Sequence, residues 1–384
     1  MSSGPVEAPV PLTRPSFGPA EREAIERVMA SGWVAGQGPE GATLESVVAR
    51  LAGRTDAVAV SSCTAGLHLL LDALDVGPGD EVIVPDYTFP ATAYAVMHCG
   101  ARPVCVDVDP LDGCLDPALV GASVTDRTRA IIGVDALGLC ADWDALREVS
   151  EAHDLPLVED AACSLGGSYR DRPAGAFGVA AVFSLHARKG VTCGEGGVVV
   201  TDDQALARRV RRASSFGLSS AHARAGEAGF AAPEFTELGW NYKLSDLASA
   251  LAGAQVGRVR ELIALRTAAA ERYAVLAAVE GVSVPFVPPE RTHTWQTYAV
   301  TLADHLDRDH VVDSLRERGI GCTMGTYDLS SQPVLGGERR PSVARRLARQ
   351  QLALPMFADI TAEQQRRVVA AVQDVVASGA RRVS

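Results

Sequence analysis

The sequence predicts an α/β protein: a large domain with a mostly parallel central sheet flanked by helices, plus a smaller α+β C-terminal domain. Three observations carry this expectation. Over the first two thirds of the chain, short apolar runs of strand length alternate with helical patterns. Those runs are apolar throughout, which is the mark of strands covered on both faces. After Asp202 the alternation stops and a mixed pattern follows, and 384 residues exceed what one small core organises. The boundary falls inside a long helical pattern, giving 1–255 and 256–384, with residues 1–35 expected to pack on the small domain.

Pro19 to Ala30 reads as a helix. Pro19 suits its first turn, Ile25, Val28 and Met29 form an apolar stripe, and Gly32 suits the stop. A glycine-rich loop, Gly32 to Gly41, leads to a second helix around Leu44 to Leu51. Then come a strand at Ala57 to Val60, a small-residue turn at Ser61 to Gly66 and a helix at Leu67 to Leu74. Glu81 to Val84 is a strand, Thr92 to Met97 a helix, and Pro103 to Val106 a strand. Ala130 to Val134 is a strand, Trp143 to Ala152 a helix, and Leu155 to Val158 a strand ending in Glu159-Asp160. Ala180 to Leu185 and Gly197 to Thr201 are two more strands.

Beyond them, Ala205 to Ser214 is helical, Leu218 to Phe235 a polar loop, and Ser245 to Ala277 one long helix. The smaller unit has a strand near Thr297 to Leu302, a helix at Asp309 to Arg318 stopped by Gly319, and a strand at Ile320 to Thr323. Two further helices close the chain, the last opening with the capping box Thr361-x-x-Gln364.

A net charge of −11 argues against nucleic acid or an anionic membrane as partner. The arginine-rich run Arg339 to Arg349 reads as a solvated helix face, with a local anion site as the alternative. MSSGPVEAPV shows no signal-peptide pattern, and no apolar run approaches a membrane span. Eight scattered cysteines with no C-x-x-C pair read as reduced thiols of a cytoplasmic protein, with neither a metal site nor a disulfide framework.

Lys189 and Lys243 are the only lysines; the other 34 of the 36 basic residues are arginine. Arginine serves wherever charge alone is needed, whereas lysine can lose its proton and act as a nucleophile. Lys189 follows the strand at Ala180 to Leu185, within FSLHARKGVTCGEGG. Two other polar clusters end strands, where open α/β sheets bind ligands. Ser62-Cys63-Thr64-Ala65-Gly66 opens a helix and can hold a phosphate through N–H groups, or can be an ordinary capped turn. Glu159-Asp160 offers a carboxylate for a protonated ring nitrogen, or a helix cap. His186 and Ser184, near Lys189, can equally be packing residues. Together the clusters match pyridoxal phosphate (PLP), which needs a phosphate cradle, a lysine amine and an acid beside the pyridine nitrogen.

The chain resembles the DegT/StrS-type PLP-dependent sugar aminotransferases, of the aspartate-aminotransferase-like fold, from about Pro11 to Val375. The motifs are SGWVAGQGP, VAVSSCTAGLHLLLDAL, GPGDEVIVPDYTFPATAYAV, GARPVCVDVD, LVEDAACSLGGSY, FSLHARKGVTCGEGGVVVTDD and ELGWNYKLSDLASALAGAQ. The resemblance implies that Lys189 is the Schiff-base lysine and that Asp160 faces the pyridine nitrogen. Thr64, Ala65 and Ser184 match phosphate-binding positions, with Cys63 and His186 beside them in the cofactor site. Phe89 matches the aromatic that stacks on the cofactor. Asn241 matches an asparagine that reaches the phosphate from a neighbouring subunit, which implies a homodimer with shared active sites.

Three positions depart from the family. Cys163 stands where glutamine or histidine is usual near the cofactor's phenolic oxygen, and Lys243 where arginine is usual. Gly325 to Ser330 replaces a His-Tyr-x-Pro-like segment near the substrate. The function so implied is transfer of an amino group from an amino acid, glutamate or glutamine, to a keto sugar, nucleotide-linked, or a cyclitol-like acceptor, in amino-sugar or secondary-metabolite biosynthesis. A PLP- or pyridoxamine-phosphate-dependent sugar dehydratase is an alternative, although such relatives typically replace the lysine by histidine. A non-catalytic PLP-binding regulator is another, although such proteins often carry an attached DNA-binding domain.

Overall fold

The computed structural model describes residues 8–218, 234–337 and 342–378. Seven strands form the central sheet: β1 (Asp56–Val60), β2 (Glu81–Pro85), β3 (Arg102–Val106), β4 (Thr128–Val134), β5 (Leu157–Asp160), β6 (Ala180–Ser184) and β7 (Gly197–Thr201). Their order is β1-β7-β6-β5-β4-β2-β3. Contacts from β6 through β3 are parallel, while β7 runs antiparallel to both β6 and β1. The reversal has a local cause. The link from Ser184 to Gly197 contains no helix, and a parallel crossover needs one.

Burial follows the two-residue period of a strand. Ala181, Phe183, Val198 and Val200 enter one core with Leu44, Trp143 and Leu146. Ala180, Val182 and Val199 enter the opposite core with Leu67, Leu70, Val96 and Val210. Helices therefore cover both faces of a mostly parallel sheet, as the continuous apolar runs predict.

A second, antiparallel sheet contains β8 (Val282–Ser283), β9 (Tyr298–Leu302), β10 (Thr323–Met324) and β11 (Gln351–Leu354), ordered β8-β9-β11-β10. Its core includes Val300, Leu302, Val311, Leu315, Val368 and Val372. Val10 belongs to the same core, bridges Ile320, and accepts from the Gly321 N–H at 2.7 Å. Helix Pro19–Ser31 lies instead on helix Asp246–Gly257, through Ala24, Val28 and Ala250.

Three expectations need correction. The long helix Ser245 to Ala277 is two helices, Asp246–Gly257 and Val259–Tyr273, followed by a 3-10 turn over Ala274–Ala278. The break falls at Arg258, whose guanidinium binds the buried Glu21 carboxylate at 2.9 Å. The strand foreseen at Ile320 to Thr323 is only Thr323–Met324, because Ile320 pairs with the N-terminal segment after the left-handed turn at Gly319 (φ 74°). The strand foreseen from Leu155 begins at Leu157 and runs through Glu159 and Asp160, which end it. The foreseen loop at 218–235 falls mostly outside the described residues, as do Arg339 and Arg340 of the basic run. In helix Val343–Gln350, Arg346 and Arg349 are exposed while Ala344, Leu347 and Ala348 are buried.

Gly178 sets the turn into β6 at φ 61°, and a Cβ there would overlap the Leu157 carbonyl. Gly178→Ala is expected to destabilise the protein by about 2 kcal/mol or more, read as a lower melting temperature. An unchanged melting temperature would show that the turn relaxes.

Candidate active site

Register brings the sequence clusters to one edge of the large sheet. Asp160 pairs with Val182 and with Val134, Ser184 pairs with Gly197, and Gly197 pairs with Val60. The carboxyl ends of β1, β6 and β5 and the start of β7 therefore lie together.

Ser62 caps helix Cys63–Ala73, its hydroxyl accepting from the Ala65 N–H at 3.1 Å. The Cys63 and Thr64 N–H groups open the helix, where no intrahelical acceptor exists. Gly197 runs close beneath this turn: a Cβ there would lie 2.7 Å from the Cys63 nitrogen. The helix start is thus a cradle with free N–H donors and a positive dipole end.

Asp160 is 3% exposed. Its carboxylate accepts from Thr92 Oγ1 at 2.8 Å and from the Ala162 N–H at 3.2 Å, and Cys63 Sγ lies at 3.9 Å. Burial pushes its pKa up, against those hydrogen bonds and the Lys189 charge. Among the described residues no cation lies within 4 Å of it, so a buried acid faces the site without an ion-pair partner.

Lys189 sits in the link between β6 and β7. Backbone bonds from Leu185 to Gly196 and from Ala187 to Gly194 fix that link, and the Lys189 N–H donates to the His186 carbonyl at 2.8 Å. Lys189 Nζ donates to Cys163 Sγ at 3.1 Å. Burial alone would lower the Lys189 pKa, but Cys163, Cys63 and Asp160 outweigh it and the net direction is upward. Thr294 Oγ1 holds the Cys163 carbonyl at 2.7 Å.

Phe89 is exposed and meets Tyr327 edge to face at 6.0 Å. Tyr327-Asp328 pairs with Tyr87-Thr88, and Ser330 donates twice to the Asp86 carboxylate. The departing segment Gly325 to Ser330 is thereby held against Phe89. Ser184 is buried, its hydroxyl accepting from the His186 N–H at 3.3 Å. His186 turns away from Lys189: Nε2 lies 3.5 Å from Glu195 and Nδ1 accepts from the Arg188 N–H. Asn241 is exposed, Oδ1 accepting from Lys243 Nζ at 2.7 Å, on a segment whose Tyr242 carbonyl holds the Ser61 N–H.

Thr92 went unforeseen in the site, although it lies in the same YTFPAT motif as Phe89. The Asp135–Glu159 pair was equally hidden. Both are fully buried and hydrogen-bonded to each other. Asp135 also accepts from the Ala141 N–H, from Trp143 Nε1 and from Ser164 Oγ, while Glu159 accepts from the Gly175 and Phe177 N–H groups. Two carboxyls bonded to each other must share a proton, and burial holds that proton above the usual carboxyl range.

The residues fit PLP. The cradle suits its phosphate, the unpaired buried acid suits a protonated ring nitrogen, and the amine stands beside them. A fold of this type with such an edge fits a PLP-dependent enzyme.

The comparisons carry this further. The model of the DegT/DnrJ/EryC1/StrS aminotransferase family matches residues 15–373, and the chain belongs to that family. It is a PLP-dependent aminotransferase. The aminotransferase TlmJ from Streptoalloteichus hindustanus is 32% identical, with a TM-score of 0.89 over 96% of this chain and 99% of that one. DesV of S. venezuelae, solved with a ketimine intermediate, is 33% identical, with a TM-score of 0.86 over 96% and 98%. DesI, solved in the presence of its TDP-sugar product, is 34% identical, with a TM-score of 0.87 over 97% and 94%.

The shared proton gives a signed pH dependence. A carboxyl pKa raised by folding contributes stability that is fully present below about pH 4 and is lost as pH rises through the folded value. Asp135→Asn replaces the bridging proton by an amide N–H. Its melting temperature should vary less than that of the wild type between about pH 5 and pH 8; an identical pH profile would refute the shared proton.

Proposed function

We propose that this chain transfers an amino group from an amino-acid donor, glutamate or glutamine, to the keto group of a nucleotide-linked sugar. The observation that carries this is the half-buried Lys189, its Nζ set beside Cys163 and near the otherwise unpaired Asp160. Relatives about one third identical over nearly the whole chain support it, one of them solved with a TDP-sugar product. The Gly325 to Ser330 segment against Phe89 keeps a cyclitol-like acceptor as the second reading, because it changes the surface an acceptor would meet.

PLP, when bound, supplies an aldehyde for the donor amine and a ring that takes up the electron pair left when the donor's Cα–H bond breaks. The chain's own residues do the rest. Cys63, Thr64 and Ala65, at the helix start, and Ser184 would hold the phosphate. Asp160 would keep a proton on the ring nitrogen, and Thr92 orients Asp160 through its 2.8 Å hydrogen bond. Lys189 Nζ would carry the cofactor at rest and then move the Cα proton. Cys163 would face the phenolic oxygen with a thiol, a weak hydrogen-bonding group.

The protein is further proposed to act as a cytoplasmic homodimer whose sites are completed by Asn241 of a second copy. Trp33, Phe216 and Leu238 are exposed, and Lys243, two positions from Asn241, lies over the Phe216 ring. Exposed apolar side chains beside Asn241 suit burial against a second copy.

Borohydride reduction of the holoenzyme followed by peptide mapping should tag Lys189; a tag on Lys243 instead would refute the assignment. Asp160→Asn should retain the fold and lose amino transfer by about 100-fold, measured as keto-acid release from the donor. Retention of wild-type turnover would remove Asp160 from the mechanism. A panel of TDP-linked keto sugars and keto cyclitols then separates the two acceptor readings.

A further inference from the structure

We infer that a buried monatomic anion, chloride in the cell, binds between Arg266 and the Lys189 link. Arg266 lies on helix Val259–Tyr273 and is 2% exposed. It donates to the Trp295 carbonyl at 3.2 Å and to the Lys189 carbonyl at 3.5 Å, and its Nε has no hydrogen-bond partner among the described residues. Among the described residues no carboxylate lies within 4 Å of its guanidinium. Arginine takes buried positions when it is paired, and a desolvated guanidinium without a counter-charge is strongly disfavoured. Burial alone lowers the Arg266 pKa, to about 10, and no acid opposes that shift.

A small cavity of about 10 Å³ adjoins it, lined by Arg266, Lys189, Gly190, Ser184, Thr294 and Cys163, with Val259, Leu262 and Ile263 on its apolar side. No acid stands in that wall. The volume suits a single water-sized particle. Water would satisfy a donor but not the charge. A monovalent, monatomic anion satisfies both, needs no donor of its own, and fits where sulfate or a carboxylic acid does not. The bound anion would also hold the helix Val259–Tyr273 to the segment that carries Lys189.

The test uses the intact holoenzyme. Crystals grown in bromide, with data collected at the bromine absorption edge, should show an anomalous peak enclosed by Arg266, Lys189 and Thr294. In solution, the melting temperature should be higher in potassium bromide or chloride than in potassium gluconate of equal ionic strength, by about 1–2 °C. Arg266→Met should lose both the peak and the halide preference. Surface bromides with no enclosed peak would overturn the inference, and so would equal melting temperatures of the wild type in halide and gluconate. Both wild-type measurements decide the question even if Arg266→Met fails to fold.

Discussion

The site depends on the alternation of side chains along one short strand. β5 ends in two successive acids, and a strand sends neighbours to opposite faces. Asp160 faces Thr92, Cys63 and the lysine. Glu159 faces away, into a buried carboxyl pair with Asp135. Hydrogen bonds around that pair join the ends of β4 and β5, the turn through Ser164 and the backbone at Gly175 and Phe177. The strand end that aims Asp160 is thereby fixed from below by a network with little freedom to shift.

The lysine is placed by a different device. The sheet changes direction between β6 and β7, and the absence of a crossover helix turns their link into a tight hairpin-like segment. Lys189 rides on that segment, and its carbonyl is held by Arg266 from the helix beyond the break at Arg258. The amine therefore answers to both parts of the chain: its strand lies in the large sheet and its anchor in the helix leading to the small one. Cys163 is fixed in a similar way, its carbonyl bound by Thr294.

Much of this was legible in the sequence. Continuous apolar runs gave the two-faced sheet, because strands buried on both sides have no polar alternation to show. The small-residue turn at Ser62 to Gly66 and the scarce Lys189 pointed to the right edge, because side-chain chemistry is written locally. His186 was grouped with Lys189 by proximity in the chain, yet the segment's own backbone bonds turn it toward Glu195. The apolar periodicity of residues 245–277 passes through Arg258 without a stop signal; the structure breaks the helix there, where Arg258 pairs with Glu21, 237 positions away.

The sequence by itself determined the kind of chemistry, since an amine, an acid and a phosphate-holding turn are properties of residue types at strand ends. It also pointed to the family, through motifs that run from Ser31 to Gln255. Only the tertiary structure decided that Glu159 turns away into a buried pair with Asp135, that Cys163 rather than His186 touches the Lys189 amine, and that Arg266 is buried with no carboxylate beside it among the described residues. Each of these depends on register and on contacts between segments distant in the chain, and local pattern carries no record of such pairings.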